Sequence, residues 1–173
     1  MKIPVLAYHK IDLPTADVKI RGAYTAPARF DKQISYLKRH GYKFFTASEI
    51  VSHYIENGRS PEKAICLTFD DGWKDNYQHA FPVLKKYDVK ATIFLVPSCI
   101  GRTTDQVTAD GEGEREHLTA NDVREMSGFG IEFGSHSMNH KLFDRITDDE
   151  IDNEVVESKA YIENLTQREC STF

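Results

Sequence analysis

Cysteine is scarce in this sequence: Cys66, Cys99 and Cys170 are the three present in 173 residues. Thiols so few and so scattered exclude a disulfide framework or a cysteine-built zinc cluster, and they are expected to be free and buried. Long apolar runs are missing too, none approaching the roughly 18 residues of a membrane-spanning helix. Positive charge is not in excess; the formal net charge is −5, which counts against nucleic acid as a partner. No internal repeat, low-complexity tract or linker divides the chain, so residues 1–173 are expected to form a single domain. Met1-Lys2-Ile3-Pro4 runs directly into a strand-like segment, without the apolar stretch of a secretory leader. That start fits a cytoplasmic chain, or one whose leader lies outside the sequence.

What remains is an ordinary globular composition, 40% hydrophobic and 28% charged. Apolar runs at 5–8, 44–45, 64–69, 92–96 and 131–133 read as strands. Between them lie helical patterns. One begins at Pro27, carries Phe30, Ile34 and Leu37 and closes at Gly41; a short one carries Ile50, Val51, Tyr54 and Ile55 and closes at Gly58. A third spans about 76–87, with Pro82 expected to kink or divide it. Thr119 caps a fourth expected to run to Met126, and Thr147 with Glu150 forms a capping box opening a fifth, whose Ile151, Val155, Ser158, Ile162 and Leu165 face inward. Residues 10–26 are irregular and 97–118 read as a long surface loop. Strands alternating with helices predict an α/β fold, a parallel sheet or barrel built from βα units.

Two motifs carry chemistry. Asp70-Asp71-Gly72 follows directly on the apolar strand 64–69. Buried carboxylates are costly unless paired or bound to a cation, and strand ends are where α/β folds place their chemistry. The chain supplies a control in Asp148-Asp149, which lies in the first turn of a predicted helix and is accounted for by the helix dipole. His136 and His140 stand four residues apart, a spacing that on a helical turn puts both rings on one face. Seven histidines in this length give roughly 0.3 such pairs by chance, so position decides: the pair follows the last predicted strand and opens on the same rim as the aspartates. One aspartate with two histidines is a three-ligand set with a position open for water, leaving the second aspartate as a base.

Other residues near this rim are open to two readings. His9 ends the first strand, either supporting the site or contacting substrate, or simply capping the strand. Trp73 and Tyr77 suit stacking on a sugar ring and suit core packing equally. His117, where the long loop closes, is a further candidate to reach the site, whereas His40, His53 and His79 are expected at the surface.

Thr68-Phe69-Asp70-Asp71-Gly72 and His136-Ser137-Met138-Asn139-His140 resemble the first two motifs of the polysaccharide deacetylases, carbohydrate esterase family 4 or the NodB-homology domain. Pro4-Val5-Leu6-Ala7-Tyr8-His9 is similar to the branch containing poly-β-1,6-N-acetylglucosamine deacetylases. The resemblance implies a distorted (β/α) barrel holding a divalent metal, commonly zinc, that removes acetyl groups from N-acetylated, or sometimes O-acetylated, sugars of a polysaccharide. It implies Asp71, His136 and His140 as metal ligands, Asp70 as general base and Ser137 as support for the metal loop. The family's later motifs, an Arg- and Pro-containing segment and a general-acid histidine, are expected beyond Phe173, so the chain is expected to be incomplete at the C-terminal side of the barrel. Strand edges left open would be covered by homo-oligomerisation or exchange between copies. Alternatives are a non-catalytic carbohydrate-binding or assembly module, an inactive fragment, and an amidase acting on a non-sugar amide.

Overall fold

A parallel sheet runs through the computed structural model, which describes residues 3–16, 18, 21–104 and 114–173. The strands are β1 (Val5–Tyr8), β2 (Lys43–Phe45), β3 (Ala64–Phe69), β4 (Thr92–Leu95), β5 (Thr103–Thr104), β6 (Arg115–Glu116) and β7 (Glu132–Ser135). The helices are α1 (Pro27–Arg39), α2 (Ala47–Asn57), α3 (Phe81–Tyr87), α4 (Ala120–Phe129) and α5 (Asp148–Thr166). The main sheet has the order β1-β3-β4-β7, with β2 paired to the first half of β3, and every pairing in it is parallel. All six residues of β3 are buried, because the sheet is covered on both faces; hence its unbroken apolar run.

Register decides where the chemistry sits. Tyr8 pairs with Phe69 and Leu95 with Ser135, so the segments that follow β1, β3, β4 and β7 leave from the same end of the sheet. Among the described residues the sheet is not closed into a barrel. Beyond β7 the backbone carbonyl of Thr172 accepts from the Ser135 N–H at 2.9 Å, adding the final residues to that edge. Gly134 permits the approach, since a Cβ there would press on the Thr172 hydroxyl and come within 2.7 Å of the Phe94 ring.

Local signals place the helices. Capping boxes at Thr46/Glu49, Thr119/Asp122 and Thr147/Glu150 start α2, α4 and α5. α4 runs three residues past the expected end at Met126, to Phe129, where left-handed Gly130 stops it. The expected break at Pro82 takes the form of a π-turn over Asn76–Ala80, closed by the Phe81 N–H on the Asn76 carbonyl. A proline ring collides with the carbonyl four residues earlier, and the wider turn relieves that collision. Residues 97–118 are not one irregular loop. A 3-10 turn at Pro97–Cys99 leads into the antiparallel β5–β6 pair, while residues 105–113 fall outside the described residues. Phe30, Phe69, Phe81, Leu84, Ile93 and Leu95 centre the core, and all three cysteines are buried thiols outside any disulfide.

One buried acid ties three segments together. Asp75 Oδ1 accepts from the Ile11 N–H at 2.8 Å and from Asn76 Nδ2 at 3.0 Å, and its other oxygen lies 3.8 Å from the Arg115 guanidinium. Burial pushes this carboxyl up to about 6 despite those partners, with the Asp12 charge adding to the rise. A folded value above the unfolded one means stability held below the unfolded pKa and lost as pH rises through about 6. Urea unfolding of wild type and Asp75→Asn should therefore converge or cross in the variant's favour between about pH 4 and 7, by on the order of 2–3 kcal/mol. A pH-independent difference would show that Asp75 titrates normally.

Candidate metal centre

The turn after β3 is built from two left-handed residues in succession, Asp71 (φ 71°) and Gly72 (φ 69°). Aspartate tolerates this conformation better than most side chains, and glycine is required next: a Cβ at Gly72 would also lie 2.7 Å from Leu95 Cδ2. Asp70 keeps the sheet pattern one residue longer, its N–H donating to the Tyr8 carbonyl at 3.0 Å. Its carboxylate is half-buried, with Oδ2 3.6 Å from His9 Nε2. Burial raises the Asp70 carboxyl above the ordinary carboxylate range; His9 pulls it back down and the Asp71 charge adds to the rise.

The histidine pair does not sit on a helical turn, contrary to the spacing argument. Ser137 (φ 62°) and His140 (φ 57°) both adopt left-handed backbone, which breaks any helix and folds residues 136–140 into a tight loop. Each such residue costs on the order of 1 kcal/mol, so the surroundings must hold it. They do so through hydrogen bonds. Ser137 N–H donates to Ser135 Oγ at 3.2 Å, and His140 N–H donates to Ser137 Oγ at 2.9 Å. From α5, the buried Glu154 accepts from Asn139 N–H at 2.6 Å and Asn139 Nδ2 at 2.8 Å, and its own carbonyl accepts from Met138 N–H at 3.0 Å. Ser158 meets Ser135, oxygen to oxygen, at 2.6 Å beneath the loop.

These two turns bring three donors to one point. His136 Nε2 and His140 Nε2 lie 3.6 and 3.5 Å from Asp71 Oδ1, and the three donor atoms all fall within 4.8 Å of one another. Two ligands about 2.0–2.1 Å from one ion at tetrahedral angles are about 3.3–3.4 Å apart, so the set fits a divalent cation. Burial lowers the His136 imidazole, with Asp71 opposing, and favours the neutral ring that can bind a metal.

The other candidates divide. His9 stands beside Asp70, and Ser137 lies within the histidine loop. Trp73 is 2% exposed and presents no face to a sugar; its indole donates to Asp71 Oδ2 at 2.8 Å. Tyr77 donates its hydroxyl to Glu125 at 2.6 Å and stacks on Phe81. His117 does reach the site, Nδ1 lying 3.2 Å from the Asp71 carbonyl oxygen. His40 is exposed at the end of α1, bonded to the Tyr36 carbonyl, and His53 lies on α2 beside Phe45. Glu154 was missed from the sequence, although an acid between Ile151 and Ser158 on the inward stripe of α5 was a readable signal. Glu154→Gln puts an amide donor against the Asn139 donors. It is expected to cost on the order of 1–3 kcal/mol in unfolding free energy and to speed amide exchange at Met138, Asn139 and His140. Unchanged exchange would show that the loop holds itself.

The polysaccharide deacetylase signature matches residues 57–173. YxkH of Bacillus subtilis, named for the polysaccharide deacetylases, is 32% identical over 170 residues, which are 98% of this chain and 54% of that protein. The poly-beta-1,6-N-acetyl-D-glucosamine N-deacetylase of Staphylococcus epidermidis is 39% identical over 93 residues, 54% of this chain and 32% of the relative. The chain thus spans about half, or less, of the length of these curated relatives. The Streptococcus pyogenes deacetylase PplD, in complex with acetate, superposes with a TM-score of 0.79 at 30% identity, covering 98% of this chain and 71% of PplD. IcaB from Ammonifex degensii shares the fold, with a TM-score of 0.79 at 22% identity over 97% of this chain and 71% of IcaB. With the signature running over two-thirds of its length and a NodB-type α/β fold beneath it, the chain belongs to the polysaccharide deacetylase family.

Proposed function

We propose that this protein is a metal-dependent deacetylase that hydrolyses N-acetyl groups on the amino sugars of a polysaccharide. The observation that carries the reading is the convergence of Asp71, His136 and His140 beside a half-buried Asp70, on one rim of the sheet. Three ligands from two strand-end turns leave a coordination position for water, and the nitrogen-and-oxygen set suits zinc. When bound, such an ion acidifies a water and polarises the acyl oxygen.

The chain's own residues supply the rest. Asp70, its carboxyl raised by burial, takes the proton from the attacking water. Hydrolysis adds that hydroxyl to the acetyl carbon and breaks the C–N bond. The proton ends on the amine nitrogen, so acetate and the free amino sugar leave. His9, with Nε2 3.6 Å from Asp70 Oδ2, is placed to steady that carboxylate. The S. epidermidis relative, a poly-beta-1,6-N-acetyl-D-glucosamine N-deacetylase, favours an acetylated amino sugar, and the acetate in complex with PplD fits acetyl as the group removed.

Elemental analysis is expected to find about one zinc per chain in the purified protein. Asp71→Asn and His140→Asn should lose it, because asparagine tolerates the left-handed backbone at both positions but is a poor ligand. Asp70→Asn should keep the metal while acetate release from N-acetylglucosamine oligomers falls on the order of 10²-fold or more. A metal-loaded protein that released no acetate from any acetylated glycan would overturn the reading. Glycan binding without turnover would mark a carbohydrate-binding module instead.

A further inference from the structure

Asp71 offers two oxygens, and they are treated differently. Oδ1 is the atom that faces both imidazoles, at 3.5 and 3.6 Å, while Oδ2 accepts from the Trp73 indole N–H at 2.8 Å. We propose that Trp73 is a positioning residue: its N–H ties down Oδ2 so that Asp71 presents Oδ1 alone to the cation. The proposal rests on the reading of Asp71 as a metal ligand.

The physical need is clear from the aspartate side chain. Its terminal torsion is broad and roughly two-fold, so a carboxylate with no second partner swings between one-oxygen and two-oxygen contact. An indole N–H is a donor only, and it can satisfy one oxygen without competing for the metal. Trp73 is also the chain's single tryptophan. A buried tryptophan normally finds a partner for its N–H, and here the partner is the carboxylate that faces His136 and His140.

The indole is itself held from two other segments. The His117 ring stacks on it with centroids 4.2 Å apart and planes 30° apart, and Lys10 Nζ, on a residue 3% exposed, lies 4.5 Å from the ring centroid. A cation over the ring draws electron density from the indole and strengthens its N–H as a donor. Backbone bonds fix the same contact. Trp73 and His117 form an antiparallel bridge, Leu118 N–H donates to the Gly72 carbonyl at 2.9 Å, and His117 N–H donates to Arg102 at 3.0 Å. The base of the β5–β6 pair is therefore stitched directly to the turn that carries Asp71. Mere filling of the core would need some acceptor for the indole N–H, but not this carboxylate oxygen.

The test separates volume from the hydrogen bond. Trp73 is replaced by 3-benzothienyl-L-alanine, which keeps the shape and puts sulfur in place of the N–H; Trp73→Phe serves as the encoded variant. Zinc affinity is measured by competition with a chromophoric chelator, alongside the thermal midpoint of the metal-free protein. The expected result is a near-unchanged midpoint for the benzothienyl protein, with zinc binding weakened about 10- to 100-fold, the usual effect of removing a ligand's outer partner. Asp71→Asn, measured in parallel, tells the two readings apart. If Asp71→Asn loses zinc and the benzothienyl protein binds it like wild type, the positioning role is overturned and the ligand reading stands. If wild type and Asp71→Asn bind zinc equally, both fall.

Discussion

Two bends in the wrong hand for L-amino acids govern this molecule. At the end of β3, Asp71 and Gly72 turn the chain through left-handed backbone, and after β7 Ser137 and His140 do the same. Without the first bend Asp71 would continue the direction of the strand; without the second the two imidazoles would spread along an extended segment. Left-handed residues are unfavourable by themselves, so each bend persists only because packed neighbours over-determine it. Much of the polar interior serves that end.

The supports come from elements distant in sequence. α5 contributes Glu154 and Ser158 to the histidine loop, and its capping box at Thr147 fixes where its inward face begins. The segment returning from β6 contributes His117 and Leu118 to the Asp71 turn, and the end of β1 contributes Lys10 and Ile11. Asp75, with Arg115 on one oxygen and the Ile11 N–H on the other, joins the second and third of these groups. The parallel register underneath makes the convergence possible, because it ends β1, β3, β4 and β7 on one side. A buried carboxylate stands in the support of each bend, Asp75 for the first and Glu154 for the second.

Contrast within the chain shows how the same dipeptide takes different work. Asp148-Asp149 lies in the first turn of α5, exposed, where carboxylates meet the positive end of the helix dipole. Asp70-Asp71 lies at the end of a fully buried strand, where Asp70 is half-buried beside His9 and Asp71 is turned toward the histidines. Position on the fold, not composition, separates them. Trp73 makes the same point: an aromatic beside the acidic pair suits a sugar surface and core packing equally, and the fold places it inside, bonded to the acid it follows.

The α/β alternation, the strand that delivers the acidic pair, the caps of the later helices and the residue types at the two turns are all legible in the chain's local patterns. Those signals are local: periodicity of apolar residues, threonine three before an acid, glycine after a helix, acids after a buried strand. The sequence did not determine how His136 and His140 come to face one point, since spacing four suggested a helical turn and the chain forms a left-handed loop instead. Nor did it reveal Glu154 as the anchor of that loop, the π-turn ahead of Pro82, or the pairing of β5 with β6. Each of these depends on hydrogen bonds and packing between segments far apart in the chain, so no local pattern announces it. Left-handed backbone at Ser137 and His140 is unfavourable in isolation and becomes the stable choice only once α5 supplies the partners that hold it.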